Sequence, residues 1–144
     1  MESENGNNAS FFRFEDLRVY HKSLEYVNWV HMVTRSFPES DSVSLATKYL
    51  NASANIALNI AEGSSRGRNQ FIIHLKQSKT AIRECVVFTS LAKMAGFFDD
   101  EQEEESREHL QEMTKMIGAL IGSLQRSNDK KNGNHRDSDE ESEQ

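Results

Sequence analysis

Asn55-Ile56-Ala57-Leu58-Asn59-Ile60-Ala61-Glu62-Gly63, continued by Ser64-Ser65-Arg66-Gly67-Arg68-Asn69, is the stretch from which the fold can be worked outward. It reads as the end of an apolar helix, a glycine stop, a short basic loop and the start of a new helix. Ile56, Ala57, Ile60 and Ala61 are residues of the buried type, with polar Asn59 and Glu62 set among them. A carboxylate in the last turn of a helix faces the negative end of the macrodipole. Glu62 therefore calls for a cationic or hydrogen-bonding partner, and Arg66, Arg68 and Arg83 are the candidates.

Upstream of this hinge, Ser40, Asp41 and Ser42 are alternative N-caps for the second helix. It runs through Leu45, Tyr49, Ala52, Ile56 and Ile60 to Gly63, read as the C′ residue. Its small residues (Ala46, Ala52, Ser53, Ala57, Ala61) allow neighbouring backbones to approach closely. The first helix opens at Phe14-Glu15-Asp16-Leu17, with acids in the first turn, and carries Leu17, Tyr20, Leu24, Val27 and Val30. Phe37-Pro38 ends it, because the residue before proline avoids the α region.

Downstream, Asn69 is the expected N-cap of a third helix carrying Phe71, Leu75, Ile82, Cys85, Val86 and Thr89, and Gly96 stops it. Asp99 or Asp100 caps the fourth, with Gln102 or Glu103 three residues on at capping-box spacing. Leu110, Met113, Ile117, Leu120 and Leu124 then recur every three or four residues. No segment alternates as a strand would. Four helices with short connections predict an all-α, antiparallel up-down-up-down four-helix bundle.

Composition sets the limits of this domain. Residues 1–11 are expected to form a disordered lead, 12–126 the bundle, and 127–144 a disordered acidic tail without one apolar residue. The net charge of -6 resides mainly in the ends. Residues 1–10 hold two acids and no base, and residues 127–144 hold six acids against three bases. That leaves 14 basic and 15 acidic residues between them, a nearly neutral domain. The lone Cys85 excludes an internal disulfide and reads as a buried thiol. A polar, acidic N-terminus and no apolar run near ~20 residues argue against a signal peptide and a membrane span. The expected location is the cytoplasm.

Enzymatic chemistry finds little footing. His21, His31, His74, His109 and His135 are scattered, and none follows a glutamate by three residues as in bundle metal sites. Neither a nucleophile elbow nor a phosphate-cradling glycine loop is present. Gly63-Ser64-Ser65-Arg66-Gly67 is read as a C-cap and turn in preference to a phosphate site, and Glu62 and Glu84 as helix-tying carboxylates rather than an acid–base pair. No catalytic residue, metal or cofactor is assigned. The remaining signal is basic: Arg66, Arg68, Lys76, Lys79, Arg83 and Lys93 face a single acid, Glu84, between Ser64 and Lys93. Lys76, Lys79 and Arg83 share one side of the third helix. With Arg66 and Arg68 they form a strip able to follow a phosphate backbone, or an ordinary solvated face.

Phe14-Glu15-Asp16-Leu17, Thr34-Arg35-Ser36-Phe37-Pro38 and Asn59-Ile60-Ala61-Glu62-Gly63 together resemble the four-helix-bundle proteins encoded in 23S ribosomal RNA intervening sequences. Arg66, Phe71, Leu75, Glu84 and Gly96 also fall at positions of that pattern. The family is similar to the accessory variability determinant proteins of diversity-generating retroelements. What the resemblance implies is a homopentameric ring, a basic surface for RNA or DNA, and a protein partner such as a reverse transcriptase. Asn59, Glu62, Gly63 and Glu84 are then structural. The chain departs from the pattern at Leu50 and Asn51, where a paired Arg-Arg is usual, and at Tyr20, where a tryptophan is usual. Two functions follow as expectations: a nucleic-acid-associated scaffold, or a hub that docks a protein without touching nucleic acid.

Overall fold

The computed structural model describes residues 9–132, with no side-chain description for 39–44 and 128–132. The expectations for residues 1–8 and 133–144 lie outside the described residues. A 3-10 turn at Arg13–Asp16 is followed by four helices: α1 (Arg18–Thr34), α2 (Glu39–Ser64), α3 (Arg68–Met94) and α4 (Asp100–Asn132). The described residues contain no strand. α2 and α4 each pack against both α1 and α3, while the α1 and α3 backbones stay apart and approach only through core side chains. They occupy opposite corners of the four-helix group.

Several ends differ from expectation for identifiable reasons. Phe14-Glu15-Asp16 does not open α1, because Leu17 is extended (φ -86°, ψ 127°) and separates the turn from the helix. The Phe14 ring instead packs edge-on to Tyr20 at 4.9 Å. α1 stops at Thr34, and Phe37 turns inward against Phe97 and Phe98 at 5.0 and 5.7 Å. Pro38, not Ser40, Asp41 or Ser42, is the N-cap of α2, its ring holding φ at -62°. At the other end α4 continues through Asn132, past the boundary expected at residue 126. Propagating an established helix adds a hydrogen bond per residue and needs no apolar face.

Two ends match. Gly96 is left-handed (φ 82°), a conformation costly for any other residue, and it terminates α3. Asp99 and Gln102 cap α4 reciprocally: the Gln102 amide donates to Asp99 Oδ1 at 2.8 Å, and the Asp99 amide donates to Gln102 Oε1 at 2.9 Å. Both satisfy amides that a helix start leaves unpaired.

Tyr49, Ile56 and Ile60 of α2, Leu75 and Cys85 of α3, and Leu110, Met113 and Ile117 of α4 fill the core with Tyr26 and Val30 of α1. Each buried aliphatic chain is worth about 1.5–3 kcal/mol relative to exposure. Close approach of α2 and α3 follows from the small residues: Ala52, Ser53 and Ala57 are buried, and Ser78 Oγ donates across to the Ile56 carbonyl at 2.9 Å.

One layer of this core is polar. Tyr26 of α1, Tyr49 of α2, Thr89 of α3 and Ser106 of α4 meet through their hydroxyls at 2.7–3.1 Å. Thr89 Oγ1 also donates to the Cys85 carbonyl at 2.8 Å. Burial pushes the Cys85 thiol from its ordinary 9.0 up to about 12, and desolvation raises both tyrosines in the same direction. These groups stay neutral in folded and unfolded chains alike at pH values below 9, so their burial is unopposed there. As pH rises beyond 9 toward 12 the unfolded chain ionises first, and stability falls. We expect the urea midpoint to decline across that window. A level midpoint would contradict the burial of these groups.

Candidate nucleic-acid interface

The α2–α3 connection is Ser65-Arg66-Gly67, and its geometry is set by Gly63. Gly63 is not the C′ residue expected: it lies inside α2, with Ser65 as the C-cap. A Cβ placed on it would lie 2.6 Å from His74 Cβ and 3.0 Å from Phe71 Cδ1. The glycine therefore serves close helix approach and not a reversal of the chain. Asn69 is not the N-cap of α3 either; Gly67 takes that place in an extended conformation, without a side-chain cap bond.

Around this contact the motif residues separate. Asn59 Oδ1 meets His74 Nδ1 at 3.1 Å, tying α2 to α3, and Asn59 Nδ2 donates to the Asn55 carbonyl. Arg66 Nε and Nη2 both donate to Glu62 Oε2, at 2.9 and 2.6 Å. Of the three candidate partners for Glu62, Arg66 is the one in place. With both side chains about half exposed (46% and 52%), the pair is worth only about 0.3–0.5 kcal/mol. Glu84 is exposed and roughly 15 Å further along α3 than His74, so it does not join this group.

The basic residues fall on the outer side of α3. Lys76 and Lys79 are half-buried, and Arg83 is exposed and donates to Thr80 Oγ1 at 3.2 Å. Arg68 is half-buried, and its Nε is shielded from solvent without a hydrogen-bond partner. From Arg68 to Arg83 the strip runs roughly 22 Å, enough for several phosphate positions. Arg66 stands at its head with its charge already matched by Glu62. Lys93, at the far end, pairs with Asp100 at 3.1 Å.

Reading the chain helix by helix missed two cations that α4 brings to the same side. Arg107 and Lys115 border a groove between α3 and α4 of about 220 Å³, floored by Ile82, Val86 and Leu110, with Gln111 and Thr114 between them. Arg107 Nε donates to Glu103 Oε2 at 3.3 Å, and its Nη2 to Ser90 Oγ at 3.1 Å. Lys79 precedes Ile82 by three residues and Val86 by seven, which puts it on the groove side of α3. The available signal was the eight-residue spacing of Arg107 and Lys115, two turns apart on one face. The acidic run from Asp99 to Glu105 obscured it. At the paired-arginine position of the family pattern, Leu50 packs against the core and Asn51 is exposed, so α2 adds no charge.

No helix among the described residues is long and apolar enough to cross a membrane. A search of curated proteins returned no significant match. Among solved structures, the chain is similar to a protein of unknown function from the S23 ribosomal protein family of Bacteroides thetaiotaomicron VPI-5482. Identity is 22%, covering 72% of this chain and 95% of that one, with a TM-score of 0.67, so this likeness speaks to fold. The sequence model of the 23S rRNA-intervening sequence proteins matches residues 15–119, most of the chain and all of α1 to α3. The four-helix protein described above therefore belongs to the 23S rRNA-intervening sequence protein family.

Proposed function

We propose that the protein is a non-enzymatic, cytoplasmic scaffold that binds RNA or DNA along the outer side of α3. Arg68, Lys76, Lys79 and Arg83 supply the phosphate contacts, Arg66 marks the strip's end, and Arg107 and Lys115 extend it onto α4. The observation that carries this reading is the alignment of cations from two helices on one side, with Glu84 the one acid between Ser64 and Lys93. Phosphate contacts of this kind give affinity without sequence readout.

The scaffold reading includes an antiparallel up-down-up-down bundle that assembles as a homo-oligomeric ring, a pentamer by family likeness. Cross-helix pairs support the antiparallel arrangement: Tyr49 meets Thr89, Ile56 meets Ser78, and Asn59 meets His74, one sequence position rising as the other falls. Exposed apolar residues support the ring. Leu24 and Met32 on α1, and Val87, Leu91 and Met94 on α3, sit on helices whose backbones do not approach one another. Two different apolar faces on opposite corners suit a head-to-tail contact, which closes into a ring when the rotation permits.

Replacing Lys76, Lys79 and Arg83 together with alanine should weaken RNA binding and flatten its salt dependence by a log–log slope of about 2 on single strands. The oligomeric mass by sedimentation should be unchanged. Equal affinity of variant and parent at low salt would remove the strip from the interface, and a monomeric parent mass would remove the ring.

A further inference from the structure

We propose that the groove between α3 and α4 docks an acidic amphipathic helix of a partner protein, with apolar side chains on Ile82, Val86 and Leu110 and carboxylates at Lys115 and Arg107. The apolar floor carries this proposal apart from nucleic-acid binding, although helix and nucleic acid would compete for Arg107 and Lys115. Small-molecule pockets commonly span ~300–1,000 Å³. The groove, at about 220 Å³, is smaller, so it suits one or two side chains presented by a larger partner. An apolar floor running between two parallel walls is the setting in which an amphipathic helix lays its hydrophobic side.

Charge selects the partner. The groove's lining includes Arg107 and Lys115 and no acid. Glu103 reaches Arg107 from one end, and Lys115 makes no ion pair among the described residues. The chain's own acidic end, residues 133–144, contains no apolar residue and would leave the floor wet. A second copy is disfavoured because its acidic run, Asp99 to Glu105, contains no apolar residue to cover the floor.

The test is fluorescence anisotropy at near-physiological salt, using the full-length protein. The probe is a synthetic helix of about 15 residues with leucines at i, i+4 and i+7 and glutamates flanking them. We expect saturable binding that falls about tenfold when two of the leucines become alanine. Lys115→Glu, an exposed change that breaks no internal bond, should weaken it about fivefold. The same variant should gain affinity for a companion peptide carrying lysines in place of the glutamates. Equal binding of the leucine-free peptide would reduce the effect to charge alone, as the protein's own tail would give. Peptide binding that lowers the oligomeric mass would assign the groove to a second copy. No binding, or indifference to Lys115→Glu, would overturn the proposal outright.

Discussion

The double variant Tyr49→Phe/Ser106→Ala is expected to lose about 4 kcal/mol of stability, well beyond the sum of its single variants. The reason lies in the proton bookkeeping of the buried hydroxyl layer. Four hydroxyls share five mutual contacts, and Thr89 passes its own proton to the Cys85 carbonyl. Tyr26 can donate to either Tyr49 or Ser106, each of which can donate onward to Thr89. The two routes are redundant. Removing the Tyr49 hydroxyl leaves Tyr26, Ser106 and Thr89 in a satisfied chain, at a cost of about 1 kcal/mol. Removing the Ser106 hydroxyl leaves Tyr26, Tyr49 and Thr89 in the other, at similar cost. Removing both leaves the wholly buried Tyr26 hydroxyl only the Cys85 thiol, a weak hydrogen-bonding partner, and adds a desolvation penalty of about 1–3 kcal/mol. Urea melts of the parent, both singles and the double form a closed cycle. An additive cycle, within about 0.5 kcal/mol, would mean the hydroxyls act independently.

Gly63→Val should cost about 3 kcal/mol, and the cost should fall on the α2–α3 contact. The added Cβ would lie 2.6 Å from His74 Cβ, an atom fixed to the α3 backbone that no rotamer change can move away. The helices must part, and the Asn59–His74 hydrogen bond at 3.1 Å stretches with them. Gly63→Ala sets two effects against each other. Alanine gains up to about 1 kcal/mol of helix propensity, less near a helix end, while overpacking costs about 1–3 kcal/mol. The clash should win, giving a smaller loss than valine. Gly118 is the control: nothing lies within 4 Å of its Cβ position, so Gly118→Ala should stabilise by about 0.5–1 kcal/mol. Thermal melts of the three variants decide the matter. If Gly63→Ala raises the melting temperature as Gly118→Ala does, close approach is not what the glycine serves.

The number and approximate placement of the helices were legible in the sequence because each helix needed only its own residues to declare itself. Leu110, Met113 and Ile117 recur at helical spacing, and all three are buried. Asp99 with Gln102, and Gly96 with its positive φ, act within a few residues of chain, so their roles could be read locally. For Glu62 the sequence offered three candidate partners, of which the structure pairs it with Arg66, one turn away.

Tertiary structure decided everything that depends on a neighbour distant in the chain. Gly63 looks like a helix stop until His74 is seen against it, and Phe37 looks like a helix end until Phe97 and Phe98 receive it. Tyr26 and Ser106, far apart in sequence, share a hydrogen bond that no periodicity encodes. Arg107 and Lys115 join the basic side of α3 only because α4 packs beside it. Local chemistry sets which segments are helical and where their apolar sides lie; which side chains become partners, and what residues such as Gly63 serve, depends on how those sides pack.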